Sequence, residues 1–357
     1  MSTPTRFTHS SIGTLRTCPR KYWIEYEQKV RPDREAEPLR IGSAYHDARE
    51  MDDDDLEVGL ARIADRYSNP PAWCETEEQH QAWAAECVVV LEMYRGYRTH
   101  AIKPFEVIAS ELEFSIPIPG LKKVRNAGKV DKLVKLDDGR LAVLEIKTCG
   151  EDIDPTSDYW HRLRMDAQIT RYYSAARHMG FDAQTIVYDV TRKPTTRPKN
   201  IPKASIEEIV ETATYHGFHI DPMDRLIVRQ ERDRHLEAEG DIPKSKRKVP
   251  KIRETPGLFA VRLREMIDAD PTRYYQSIEI PRTTRDLEVF DEKMLDDVAE
   301  IRFRRSKGVW QKNDRACNAM GRCPYLDICA NHIDIEHETP DGFVRISTPH
   351  PELEAKQ

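Results

Sequence analysis

Residues 126–148 read NAGKVDKLVKLDDGRLAVLEIKT. A strand-like run to Leu136, then Asp137, Asp138 and Gly139, then a second apolar run predict a β-hairpin. Asp131 lies on its first strand. Glu145 and Lys147 lie two apart on its second, so they project from the same face. Loop length decides whether Asp131 joins them. A three-residue loop pairs Leu136 with Arg140 and brings Asp131 opposite Glu145. A two-residue loop puts Lys132 there and turns Asp131 to the other face. Gly139 suits the left-handed position of the three-residue loop, which favours the first register.

Two carboxylates on one face make a hard-oxygen site for Mg²⁺ or Mn²⁺. Such an ion activates water and polarises a phosphoryl oxygen. A lysine beside it can orient the water or offset charge in the transition state. The hairpin alone also allows a blander reading, a solvated sheet face with a structural Glu–Lys pair.

Around the hairpin the pattern extends. EVIASELEFSIPI, from Glu106, reads as one or two strands. Residues 160–178 read as helix closed by Gly180. AQTIVYDV (183–190) is a further strand. This order predicts an α/β core over 104–190, a small mixed sheet flanked by helices. Residues 1–103 form an N-terminal arm and helical region carrying Cys18 and His46. Residues 191–290 read as a basic, partly helical insertion. A helix and a cysteine-bearing segment follow over 291–335, then a polar tail over 336–357.

Four short motifs occur in order: Gly42–His46 (GSAYH), Gly128–Asp131 (GKVD), Glu145–Lys147 (EIK) and Gln168–Tyr172 (QITRY). Together they resemble the PD-(D/E)XK nuclease superfamily, in its RecB-like exonuclease branch. Val130 stands where the superfamily's name has proline. The resemblance implies a restriction-endonuclease-like core. His46, Asp131, Glu145 and the carbonyl of Ile146 would ligate Mg²⁺ or Mn²⁺, and Lys147 would serve the nucleophilic water. Gln168 and Tyr172 would contact the substrate backbone or steady the site. Glu111 is a candidate helper acid. Taken singly, His46 reads as a packed histidine and Gln168–Tyr172 as a helix face with a core tyrosine.

The chain has seven cysteines. The odd count argues against a disulfide framework. Cys317, Cys323 and Cys329 have five residues between neighbours, and Cys18 stands far upstream in CPRKYW. Many RecB-like exonucleases, including CRISPR-associated adaptation enzymes, AddB-type subunits and phage relatives, hold a [4Fe–4S] cluster with one N-terminal and three C-terminal cysteines. The resemblance implies such a structural cluster on these four, with Zn²⁺ as the alternative. Cys74, Cys87 and Cys149 have no such partners in the pattern.

Acids number 62 against 56 lysines and arginines, for a net charge of −6. That argues against a generally basic nucleic-acid coat. Part of the excess is a run at Asp52–Asp55. Two stretches are basic without an acid: 191–203, with Arg192, Lys193, Arg197 and Lys199, and 243–253, with Lys246, Arg247 and Lys248. Both are candidate phosphate contacts. Trp160, Tyr172 and Tyr173 are candidate stacking surfaces for an unpaired strand. No P-loop motif is present. Neither a membrane-spanning run nor a signal architecture appears, so a cytoplasmic protein without a membrane partner is expected.

The leading expectation is a metal-dependent DNA exonuclease acting on single-stranded ends, in recombination, repair, phage DNA processing or CRISPR adaptation. The alternative is a non-catalytic, nuclease-like subunit that binds DNA ends for a helicase or recombination protein. A third reading is a zinc-stabilised protein whose hairpin acids are incidental.

Overall fold

The computed structural model describes residues 5–50, 55–101, 103, 105–240, 250–319 and 321–353. The chain opens with β1 (Thr5–Phe7) and α1 (His9–Thr17). Thr8 starts α1 through a capping box with Ser11, each side chain accepting the other's backbone N–H. Next come α2 (Pro19–Tyr22), a π-turn over Trp23–Glu27, and β2 (Val30–Pro32). Helices α3 (Glu37–Arg49), α4 (Leu56–Tyr67) and α5 (Glu77–His100) complete the N-terminal region. Asp55 caps α4; Asp52–Asp54 lie outside the described residues.

The core follows as β3 (Glu106–Pro117), β4 (Val124–Lys135), β5 (Leu141–Cys149), α6 (Asp158–Leu163), α7 (Ala167–His178) and β6 (Ala183–Arg192). Then come α8 (Lys203–Thr212), the short pair β7 (Thr214–Tyr215) and β8 (Phe218–His219), α9 (Pro222–Glu239) and α10 (Pro256–Ala269). Strand β9 (Tyr275–Glu279), α11 (Thr284–Lys307), α12 (Leu326–Ala330) and β10 (Phe343–Arg345) end the described chain.

The hairpin has the three-residue loop. The Leu136 N–H donates to the Arg140 carbonyl, and Gly139 has φ +87°. No L-residue adopts that conformation without strain, which is why glycine belongs there. The register runs from Lys135 opposite Leu141 to Lys132 opposite Leu144.

One edge of β4 is shared by two strands. β1 pairs in parallel with Val124–Asn126, and β5 pairs antiparallel with Lys132–Lys135. β3 covers the other edge along most of its length. Residues 127–131 of β4 therefore face a notch between the end of β1 and the diverging second half of β5. That half is held by β6 through parallel pairs from Glu145–Tyr188 to Cys149–Arg192. The full sheet is mixed and six-stranded, ordered β1-β4-β5-β6-β9 with β3 on the far edge of β4.

Helices cover both faces. α3, α4, α5 and α10 pack Tyr45, Tyr94 and Leu263 onto Val134, Leu144 and Ile146. On the other face α6 and α7 pack Trp160, Ile169 and Tyr173 onto Leu133, Val143 and Tyr188. α8, α9 and the start of α10 share a smaller core around Ile206, Tyr215 and Leu258.

Four details differ from the sequence reading. The core sheet is not confined to 104–190, because β1 comes from the N-terminal arm and β9 from the 191–290 insertion. Both are short strands that gain their form by pairing with β4 and β6. The helix expected over 160–178 is two helices, broken at Arg164–Asp166 where Asp166 caps α7. The segment read only as a polar tail contains a strand, β10, which pairs with β2. Trp160 and Tyr173 are only 3% and 4% exposed, so they are core residues and not stacking surfaces.

Candidate active site

The notch brings four elements together. α3 lies on β5 so closely that a Cβ at Gly42 would meet Thr148 Oγ1 at 3.2 Å. One turn on, His46 reaches the notch, with Nδ1 3.8 Å from Asp131 Oδ2. Past the last β4–β5 pair, the Asp131 carboxylate takes over the role of the sheet partner. Its Oδ2 accepts the Ile146 N–H at 2.8 Å. From the opposite face α7 presents Gln168 and Tyr172, one helical turn apart.

Lys147 is the hub. Its Nζ donates to Gln168 Oε1 at 2.8 Å and to Glu145 Oε1 at 3.2 Å, and lies 3.4 Å from Asp166 Oδ2. Gln168 Nε2 in turn donates to the Tyr172 hydroxyl at 3.1 Å. The carboxamide therefore bridges ammonium and phenol, and its orientation is set at both ends.

Glu145 is 2% exposed, and its Oε2 is buried with no hydrogen-bond partner among the described residues. Burial, then the Asp131 charge, pushes its carboxyl up to about 8, although Lys147 opposes this. Burial works against the Lys147 ammonium, but Glu145 and Asp166 outweigh it and raise its pKa. Desolvation lowers His46, partly offset by Asp131. Burial followed by the charges of Glu145 and Asp131 raises Tyr172 well above the usual phenol range.

This donor set suits a divalent cation. A buried carboxylate oxygen without a donor calls for a cation or water. Oxygen ligands with one imidazole match Mg²⁺ or Mn²⁺ rather than a soft metal. Among the described residues no group of three or more His, Cys, Asp or Glu side chains is arranged so that it could hold a metal ion as it stands.

Asp166 is the site residue that the sequence reading missed. Its signal was an Asp immediately before a helical run, an N-cap pattern, hidden because one helix was read through it. Glu111 lies on β3 between the residues paired with Lys132 and Val130, makes an ion pair with Lys129 of β4, and has φ +51°. The basic stretch after β6 begins at the site's border, where the Lys193 N–H bonds to the Cys149 carbonyl. Arg192 pairs with Asp152, Lys193 with the Pro38 carbonyl, Arg197 with Glu37, and Lys199 is exposed. Lys246, Arg247 and Lys248 lie outside the described residues.

The arm that carries Cys18 packs against the segment that carries Cys317, Cys323 and Cys329. Cys18 ends α1, and the neighbouring Arg20 N–H donates to the Gln311 carbonyl while Tyr22 stacks on Trp310. The Cys323 N–H donates to the Cys317 carbonyl, and Cys329 lies in α12. Burial and then the neighbouring thiols, Cys18 and Cys323 among them, raise the Cys317 pKa. Cys329, raised chiefly by burial, also feels Cys18 and Cys323.

The family profile of the PD-(D/E)XK nuclease superfamily matches residues 6–330. The chain belongs to the PD-(D/E)XK nuclease superfamily. That match takes in the notch, the insertion and Cys18, Cys317, Cys323 and Cys329. No curated protein gives a significant match to the chain. As a PD-(D/E)XK protein it carries hydrolytic nuclease chemistry with DNA as substrate, and divalent ions such as Mg²⁺ or Mn²⁺ generally serve this superfamily. Among the described residues no helix is long and apolar enough to cross a membrane.

Proposed function

We propose that this nuclease is a Mg²⁺- or Mn²⁺-dependent DNA exonuclease acting on single-stranded ends. The carrying observation is the Glu145 carboxylate, buried beside Asp131 with one oxygen on Lys147 and the other without a partner. Asp131, Glu145, the Ile146 carbonyl and His46 would hold the cation. An N–H and a C=O of one strand residue point to the same side, so the Ile146 carbonyl faces the notch that its N–H enters. When bound, the cation supplies a Lewis acid that activates water and screens phosphoryl charge. Lys147 orients the attacking water and offsets negative charge as the phosphoryl oxygens develop it. Gln168 and Tyr172 hold the lysine's direction, and His46, its pKa lowered, offers a neutral nitrogen.

The preference for ends and for single strands rests on the likeness of the four motifs to the RecB-like branch. The same likeness, with the packing of the Cys18 arm against the segment that carries Cys317, Cys323 and Cys329, supports a [4Fe–4S] staple that ties the N-terminal arm to the C-terminal segment, with Zn²⁺ as the alternative occupant. Arg192 and Lys193, at the border of the notch, are the nearest candidates for phosphate contacts.

The test is digestion of end-labelled single- and double-stranded oligonucleotides with Mg²⁺ or Mn²⁺ and with chelator. Wild type should release nucleotides from ends only with metal, and Glu145→Ala should not. Metal-dependent degradation retained by Glu145→Ala would overturn the assignment. DNA binding without cleavage by wild type would favour the end-binding subunit instead.

A further inference from the structure

Asp166 belongs to none of the four motifs, yet it is the second carboxylate on Lys147. Its two oxygens have separate tasks. Oδ1 accepts the Gln168 N–H at 2.8 Å and so caps α7. Oδ2 stands 3.4 Å from Lys147 Nζ, and the side chain is 15% exposed.

An ammonium has three N–H groups. Gln168 and Glu145 accept from two, and Asp166 Oδ2 is within reach of the third. A cation held by Glu145 would draw that carboxylate's charge toward itself and bring a dication close to the ammonium. Like charges in a shielded site repel strongly. Gln168 is neutral, so the remaining charged anchor on Lys147 is Asp166.

The other basic groups around Asp166 are engaged or uncharged. Arg16 makes a bidentate pair with Asp297. Arg171 donates to Asn126 and to the Phe7 carbonyl. His9, at the start of α1, is lowered to about 4 by burial, although Asp166 pulls the other way. It is therefore neutral at pH 7. Arg282 donates to the Thr170 hydroxyl and to the Leu163 and Asp166 backbone carbonyls, whereas the Asp166 carboxylate makes its ion pair with Lys147.

We propose that Asp166 is a positioning residue for Lys147: Oδ2 supplies the counter-charge that keeps the ammonium in place beside a bound divalent cation, while Oδ1 caps α7. This rests on the cation site proposed above. The competing explanation is a helix cap and nothing more. Asn and Ser cap about as well as Asp, so they separate the two. Asp166→Asn keeps an acceptor for the cap but offers no charge to Lys147. Asp166→Ser caps but is too short to reach it.

The experiment is a calorimetric Mn²⁺ titration of the full chain as wild type, D166N, D166S and D166N/K147M, with thermal melts and oligonucleotide kinetics alongside. D166N and D166S should melt close to wild type. Their Mn²⁺ affinity should fall about 10-fold or more, and kcat by a similar factor, with KM for DNA unchanged. Removing the lysine in D166N/K147M should restore most of the Mn²⁺ affinity. Wild-type Mn²⁺ affinity in D166N and D166S would overturn the proposal. So would a failure of K147M to restore it, because Asp166 would then act on the cation directly. Wild type that binds Mn²⁺ but cleaves nothing would refute the nuclease reading alone; wild type that binds no Mn²⁺ would refute both.

Discussion

Glu145→Gln should make the metal-free protein more stable, by an amount that grows with pH. In the folded chain burial and Asp131 raise the Glu145 carboxyl from 4.5 to about 8. Between those values the folded state binds a proton that the unfolded chain has released. Stability of the metal-free protein therefore falls as pH rises through that window. Glutamine does not ionise, and its Oε1 can still accept from Lys147. At pH 7 the difference is about 2.5 pK units, or about 3 kcal/mol in favour of Glu145→Gln. It should shrink to below about 1 kcal/mol at pH 5 and level off near about 5 kcal/mol at pH 9.

The assay is urea unfolding followed by tryptophan fluorescence in chelator at those three pH values. Titrations of groups remote from position 145 cancel in the difference, so the pH slope reports Glu145 and the groups coupled to it. Adding Mg²⁺ should then close most of the gap at pH 7 and reverse the order at pH 5. A cation at 100 times its Kd stabilises wild type by about 3 kcal/mol, and Glu145→Gln should gain little. A stability difference that does not change with pH, or a Glu145→Gln variant stabilised by Mg²⁺ as much as wild type, would refute the reasoning.

Asp189→Leu should cost about 3–5 kcal/mol, because it takes a carboxylate from a buried guanidinium. Arg49 is 1% exposed and donates to Asp189 at 2.7 Å, tying α3 and its His46 to β6; urea unfolding measures the loss, and the double variant Arg49→Met/Asp189→Leu should recover part of it. Cys18→Ala should lower the melting temperature and the iron or zinc content together, checked by melts and elemental analysis of anaerobically purified protein. Arg192→Ala/Lys193→Ala should weaken single-strand binding by the Glu145→Gln protein and flatten its dependence on log salt by about 1.4, read by fluorescence anisotropy across salt concentrations.

The hairpin was legible because its information is local. Gly139 sets the loop, the loop sets the register, and the register leads Asp131 to the Glu145–Lys147 segment, where it accepts the Ile146 N–H. His46 and the Gln168–Tyr172 pair were legible as motifs, since helical spacing fixes which side chains share a face. What stayed hidden was long-range. β1 has three residues and β9 has five, and neither carries an alternation that marks a strand. They are strands because β4 and β6 leave edges for them. Without β1 closing one side, the gap at residues 127–131 would be an open edge and not a notch. Asp166 was hidden for a related reason. The break between α6 and α7 has neither glycine nor proline to mark it, and only the folded chain brings that cap beside Lys147.

The charge of the site completes the case for a single dication more sharply than the net charge of −6 argues about DNA. Around the notch stand the carboxylates of Asp131, Glu145 and Asp166 and the ammonium of Lys147. His46 and His9 both have lowered pKa values, so neither imidazole adds a charge at neutral pH. Three ionised carboxylates against one ammonium leave two negative charges, the complement of one divalent ion. Without the ion, that excess is relieved by the proton that Glu145 keeps to about pH 8. Proton and cation then compete for the same carboxylate. Cation binding at pH 7 should release close to one proton, a quantity that calorimetry in buffers of different ionisation enthalpy measures directly. Binding without proton release would mean that the ion sits elsewhere.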